Sequence, residues 1–394
     1  MKRNRLIFLT LLAASSMNGF AQAGPDPAAS IPNNANTKLM EKSSLPPEVA
    51  ASLPNCKKTN PSVPFPTGPH GLYVVFFPGS PLTEEAGRLI LHNPTICGVV
   101  FYVVWSQADK GPGASPRYDF SATEKQIAPW VAAGKAVSLI VWAVSDAHGL
   151  VATPDYVLAK VPTVECTKFG RVPVFWDEQF VTPYKEFMAA VMHKYGSDRR
   201  ISYIRFGLAQ GGETYPGCAT VLQPEKGLTQ DLWKNYILGM LDYEHSLKHT
   251  RQLMLGINTW GQPPDNSLAL DEAERAAKYG FGVGGQGLQV SNIETYNSGG
   301  ICNANWCNVF DQYVGKIPLE LQMLRPSDPD GTGVGSWVDV MPFAIKRHAQ
   351  IIELLLPDII AAYGTDSTGA MSQYSAGYQA AFTNAAKILG GSAR

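Results

Sequence analysis

The chain has 394 residues, with 32 Lys and Arg against 33 Asp and Glu and a formal net charge of -1. The basic residues are dispersed along it, which gives no basis for a charge-driven partner such as nucleic acid or an anionic membrane. Charged residues are only 16% of the total while Gly, Trp and Tyr number 37, 8 and 16, a balance suited to a globular protein that handles neutral polar ligands.

The first 23 residues read as a signal peptide. A basic start is followed by an apolar stretch from Leu6 to about Leu12, too short to span a bilayer, and by the small-residue site Ala21-Gln22-Ala23. No later run is long and apolar enough for a transmembrane helix, so the expectation is a secreted or periplasmic protein with no membrane span. Residues 24–69 are rich in Pro, Asn, Ser and Ala without sustained periodicity, which fits a linker or an N-terminal wrap.

Residues 70–394 read as one barrel domain. "GLYVVFFPG" from Gly71 is a strand-like run, followed by the helically spaced "LTEEAGRLILHNP". The same strand-then-helix unit recurs with "CGVVFYVVWSQ", "AVSLIVWAVSD", "ISYIRFGLAQGGE", "LMLGINTW", "FGVGGQGLQV" and "IPLELQML". An eighth strand is placed at "DIIAAYGTD", after a helix read over "VMPFAIKRHAQIIELLL". Eight such units in this length predict a (β/α)₈ barrel. A doubly wound sheet is disfavoured because no Gly-rich phosphate loop follows the first strand.

Six cysteines in an exported chain favour disulfides over metal ligation. Cys302 and Cys307 suggest a local staple; the partners of the other four cannot be read from sequence, and Cys56–Cys97 with Cys166–Cys218 is a guess among the open pairings. The seven histidines are scattered with no ligand spacing to a Cys pair, so no metal and no other cofactor is expected.

A barrel carries its active site at the C-terminal ends of its strands. There the fourth strand delivers Glu213 behind Gly211 and Gly212, whose lack of side chains permits a sharp turn and leaves space above the carboxylate. Other strand ends offer Trp105, Trp142, Asn258 and Trp260. The loop after the sixth strand offers Tyr296, the seventh strand Glu320 and Gln322, and the eighth Asp366. Indoles with amides and carboxylates suit a carbohydrate: Trp105, Trp142 and Trp260 as stacking platforms, and Asn258, Tyr296, Gln322 and Asp366 as hydroxyl contacts.

Glycoside hydrolysis uses two carboxyl groups. Glu213 is the candidate proton donor, since an enclosed apolar cleft favours a protonated carboxyl. Glu320 is the candidate nucleophile or base, because period-two alternation puts it on one face with Gln322. Asp146, Glu294 and Asp366 are alternates. An inward Glu can instead be the partner of a buried base, and Arg205 is the available mate for Glu320 or Glu213.

With Glu213 after the fourth strand and Glu320 on the seventh, the chain resembles the large clan of barrel glycoside hydrolases that includes β-galactosidases, cellulases and xylanases. The resemblance spans Gly71 to the C-terminus and implies a retaining acid/base pair at these two positions. Gly212 stands where that pattern has Asn. The segment "GLAQGGETYPG" is also similar to the Gly-Glu-Leu-Arg-Tyr-Pro acid segment of β-amylases, which are inverting barrels, though it is one residue shorter between Glu213 and Tyr215. The resemblance implies an exported glycoside hydrolase acting on a poly- or oligosaccharide, with a glycan-binding barrel that does not cleave as the alternative. No dimer face is evident, so a monomer is the default.

Overall fold

The computed structural model describes residues 69–78, 84–144, 150–167, 169–258, 267–291, 311–328 and 334–390. Residues 1–23, expected to be a signal peptide, the 24–68 segment, Asp146, Trp260, Glu294, Tyr296, Cys302 and Cys307 lie outside the described residues.

Eight parallel strands close into the expected barrel. They are β1 (Gly71–Phe76), β2 (Ile96–Val104), β3 (Ala136–Trp142), β6 (Ile201–Phe206), β7 (Gln252–Gly256), β8 (Gly282–Leu288), β9 (Leu319–Met323) and β10 (Ile351–Leu355), with β10 pairing to β1 to complete the ring. A small antiparallel hairpin, β4 (Thr163–Cys166) and β5 (Gly170–Pro173), is inserted after β3, where the sequence reads only as a long loop.

Both faces of the barrel strands are buried, which is why they read as continuous apolar runs. On β1, Leu72, Val74 and Phe76 belong to the core beneath the helices, and Tyr73 and Val75 to a separate interior cluster with Val100, Tyr102, Ile140 and Trp142. The outer helices follow from spacing and caps. α5 (Glu178–Tyr195) is capped by Asp177, which accepts from Gln179 N, and buries Phe180, Tyr184, Phe187, Met188 and Val191 on one side. α7 (Gln230–Ser246) is capped by Thr229 and buries Trp233, Tyr236, Ile237 and Met240.

The last unit corrects the expected boundaries. α9 (Trp337–Lys346) ends early, His348 turns at a φ of 58°, and β10 forms inside the stretch read as helix. The segment read as the eighth strand is α10 (Leu356–Tyr363). An unbroken apolar run cannot separate a buried strand from a helix by periodicity. Pro357 and Asp358 mark the true helix start, the Asp358 carboxylate accepting from Leu355 N.

Cys166 and Cys218 form the expected disulfide, tying the β4–β5 hairpin to the start of α6 (Ala219–Lys226). Cys97 is also disulfide-bonded, with a partner outside the described residues. Among the described residues no helix is long and apolar enough to cross a membrane.

Candidate active site

The turn after β6 is built by backbone. Gly211 and Gly212 adopt φ of 65° and 78°, a left-handed conformation that a side chain disfavours. Ala209 N then donates to Glu213 O, Glu213 N to Gln210 O, and Gln210 N to Tyr215 O, folding the segment back on itself. Gly207 is needed for close approach: a Cβ there would lie 2.5 Å from Gly212 Cα and 2.8 Å from Val141 O. A Cβ on Gly212 would meet Ile140 Cγ2 at 2.8 Å, so these glycines serve backbone packing more than open space above the acid. Thr214 N donates to Gly256 O at the end of β7, and Trp233 Nε1 donates to Thr214 O. Glu213 is thereby fixed at the C-terminal mouth, 7% exposed.

Two amides hold its carboxylate. Asn258 Nδ2 donates to Glu213 Oε2 at 2.8 Å. The Gln286 amide, oriented to satisfy its neighbours, donates to Glu213 Oε1 at 3.2 Å and accepts from Arg205 Nη2 at 2.5 Å. Arg205 Nη1 donates to Glu320 Oε2 at 2.6 Å and Nη2 to Glu353 Oε2 at 3.3 Å, with all three side chains fully buried. Glu353 Oε1 accepts from Tyr203 at 2.6 Å.

One cation therefore faces two buried carboxylates. Burial, then the adjacent Glu353, push the Glu320 carboxyl well above its usual range against the pull of Arg205. Burial opposes the Arg205 charge, but Glu353 and Glu320 more than offset it and hold the guanidinium firmly protonated. Burial and the Glu213 charge beside it raise the Tyr215 hydroxyl.

The Gly-rich sequence of β8 belongs to this cluster. A Cβ on Gly284 would overlap the Glu320 carboxylate, and one on Gly282 would overlap Met254. Large side chains from β9 and β7 thus fill the barrel centre over β8, below the layer that carries Gln286 and Gln322.

That layer has two sides. The rings of Phe77, Tyr102 and Trp142 run across β1, β2 and β3, at centroid distances of 5.4 and 4.6 Å. Glu213, Asn258, Gln286 and Gln322 come from the turn after β6, from just past the end of β7, and from β8 and β9. Trp142 Nε1 and Gln322 Oε1 are buried without a hydrogen-bond partner among the described residues.

The expected site residues divide accordingly. Glu213, Asn258, Gln322 and Trp142 come together at the mouth. Asn258 holds Glu213, and Trp142 is tilted 41° against Tyr102 in the aromatic row, only 4% exposed. Glu320 faces inward, two residues below Gln322 on the same face, paired across the sheet with Gly284 and Ile351. Trp105 is not at the mouth: fully buried, it donates to Asp109 Oδ2 and packs on Phe180, Tyr184 and Phe187 in the helix layer.

Asp366 is also elsewhere, because α10 carries the chain to the opposite rim, where the Tyr363 hydroxyl meets Thr95 just before β2. It is exposed and accepts from Thr368 N, Thr368 Oγ1 and Ala370 N in its own turn. Phe77, Tyr102, Gln286 and Glu353 were missed; inward alternation on β2 and β8 was the available signal for Tyr102 and Gln286.

No family model matches the sequence, and no curated protein matches it either. Among solved structures, the catalytic domain of β-amylase from Paenibacillus polymyxa aligns with a TM-score of 0.57 at 10% identity, over 80% of this chain and 98% of that one. An exo-β-1,4-mannosidase from Opitutaceae bacterium strain TAV5 aligns with a TM-score of 0.49 at 12% identity, over 81% of this chain and 60% of that one. A β-galactosidase from the psychrophilic Marinomonas ef1 gives 0.49 at 13% identity, over 81% and 59%. At 10% identity the likeness to the β-amylase domain is one of fold alone, and it agrees with the closed eight-stranded parallel barrel of this chain.

Proposed function

We propose that the protein is an exported glycoside hydrolase acting on a poly- or oligosaccharide, with Glu213 as proton donor and Glu320 as the second carboxylate. The two-sided mouth carries this assignment. A pyranose has apolar C–H faces and polar edges, and the row Phe77, Tyr102 and Trp142 faces a group of amides around one carboxylate. Glu320 is linked to Glu213 through Arg205 and Gln286, and its Oε1 has no hydrogen-bond partner among the described residues. To act on the anomeric centre, as nucleophile with retention or as base with inversion, Glu320 would have to give up the proton that its burial favours. Retention is expected from the fourth- and seventh-strand placement.

The burial of Glu320 and its ion pair with Arg205 also favour a barrel that binds glycan without cleaving it. Incubation with a panel of plant, bacterial and fungal polysaccharides separates the two. Release of new reducing ends supports hydrolysis, and the anomer first seen by NMR assigns its stereochemistry. Binding to a glycan with no release assigns the non-cleaving barrel.

A further inference from the structure

The chain of hydrogen bonds leading to Glu213 has a direction. A guanidinium offers only donors, a carboxylate oxygen accepts, and a side-chain amide has one end of each kind. Gln286 lies between Arg205 Nη2 at 2.5 Å and Glu213 Oε1 at 3.2 Å, so its oxygen must face Arg205 and its nitrogen must face Glu213. The opposite orientation would set NH₂ against guanidinium and carbonyl against carboxylate. Arg205 is itself immobilised, because Glu320 and Glu353 hold its two terminal nitrogens in the barrel interior.

We propose that Gln286 and Arg205 are positioning residues for Glu213: Arg205 fixes the direction of the Gln286 amide, and Gln286 with Asn258 fixes the Glu213 carboxylate. Asn258 is seated by its own N–H donating to Thr214 Oγ1, next to Glu213 in the chain, while its Nδ2 donates to Glu213 Oε2. The two oxygens of Glu213 each accept from a different strand, β8 on one side and the end of β7 on the other. A proton carried by Glu213 therefore occupies a lone pair that neither amide uses. A barrel strand, through Gln286, and the segment just past β7, through Asn258, fix where the acid delivers it, although Glu213 itself stands on a loop.

This inference rests on Glu213 being the acid, and its test includes a readout independent of activity. Gln286→Glu preserves shape and the Arg205 contact but removes the N–H donation to Glu213, and Gln286→Met removes both. Melting temperatures establish that both variants fold. Crystal structures are expected to show the Glu213 carboxylate displaced from its seat in each. With a hydrolysed glycan, kcat is expected to fall about 100-fold, the cost of misplacing a reacting group by an ångström, with KM changed by less than about threefold. A merely space-filling Gln286 would leave the Met variant, which adds no charge beside Glu213, at wild-type kcat, and that result overturns the proposal. Should the wild type cleave none of the glycans, the hydrolase assignment fails on its own. The crystal structures alone then decide: an undisplaced Glu213 in both variants overturns the positioning role, and a displaced one sustains it.

Discussion

Arg205 on the fourth barrel strand donates to Glu320 on the seventh at 2.6 Å, and both side chains are wholly buried. The bond crosses the barrel interior, and Glu353 on the last strand shares the same guanidinium. Removing the cation leaves two carboxyl groups facing each other in a dry interior. Arg205→Met is therefore expected to cost about 3–5 kcal/mol, the range for breaking a buried pair by deleting one partner. Urea denaturation measures it, and a loss below about 1 kcal/mol would show that the interior is better hydrated than the structure indicates.

The same cluster makes stability depend on pH. The folded-state value of Glu320 is raised by burial and by Glu353, whereas an unfolded Glu titrates near about 4.3. Its contribution to stability is complete below that pH and is lost as pH rises through the folded value, because the native state then holds a proton that the unfolded state has released. The stability difference between wild type and Glu320→Gln should thus shrink as pH rises above about 4.3. Denaturation curves at a series of pH values test this, and a constant difference would contradict it.

Two glycine substitutions are expected to have opposite signs. Gly207→Ala places a methyl 2.5 Å from the Gly212 backbone, where nothing can rotate aside, and should destabilise by about 1–3 kcal/mol as overpacking does. Gly239→Ala sits in α7 with no atom within 4 Å of the added methyl and should stabilise by roughly 1 kcal/mol through helix propensity. Thermal melts of both variants are the check. A neutral Gly207→Ala would mean that the turn carrying Glu213 tolerates displacement.

The disulfide between Cys166 and Cys218 closes a loop with a sequence separation of 52. Replacing both cysteines by Ser should cost about 4 kcal/mol if loop closure in the unfolded chain dominates. An unchanged melting temperature would show that the hairpin is held by packing alone.

Much of this barrel was legible in the sequence, because a parallel strand buried on both faces leaves an apolar run and each run precedes a helix. The eighth strand was not, since "IIELLL" continues apolar directly from a helix and only the following Pro357 and Asp358 reveal the boundary. The place of Glu213 at the mouth was legible because it follows the fourth apolar run, but the open space expected from Gly211 and Gly212 was not found, since a Cβ on Gly212 would meet Ile140. Arg205 could be matched with Glu320 by charge, but its division between Glu320 and Glu353 could not, because it depends on barrel register. Trp105 and Asp366 misled for different reasons. A tryptophan at a strand end can turn outward into the helix layer, and Asp366 was displaced to the other rim by the misplaced strand.

The central assignment is tested most directly by comparing wild type with Glu213→Gln on one glycan that the protein binds, measuring product release and Kd together. If Glu213 is the proton donor, the variant should bind within a few-fold of wild type and lose hydrolysis by about 100-fold or more. Wild-type hydrolysis that survives the substitution would contradict the account and move the acid to another residue.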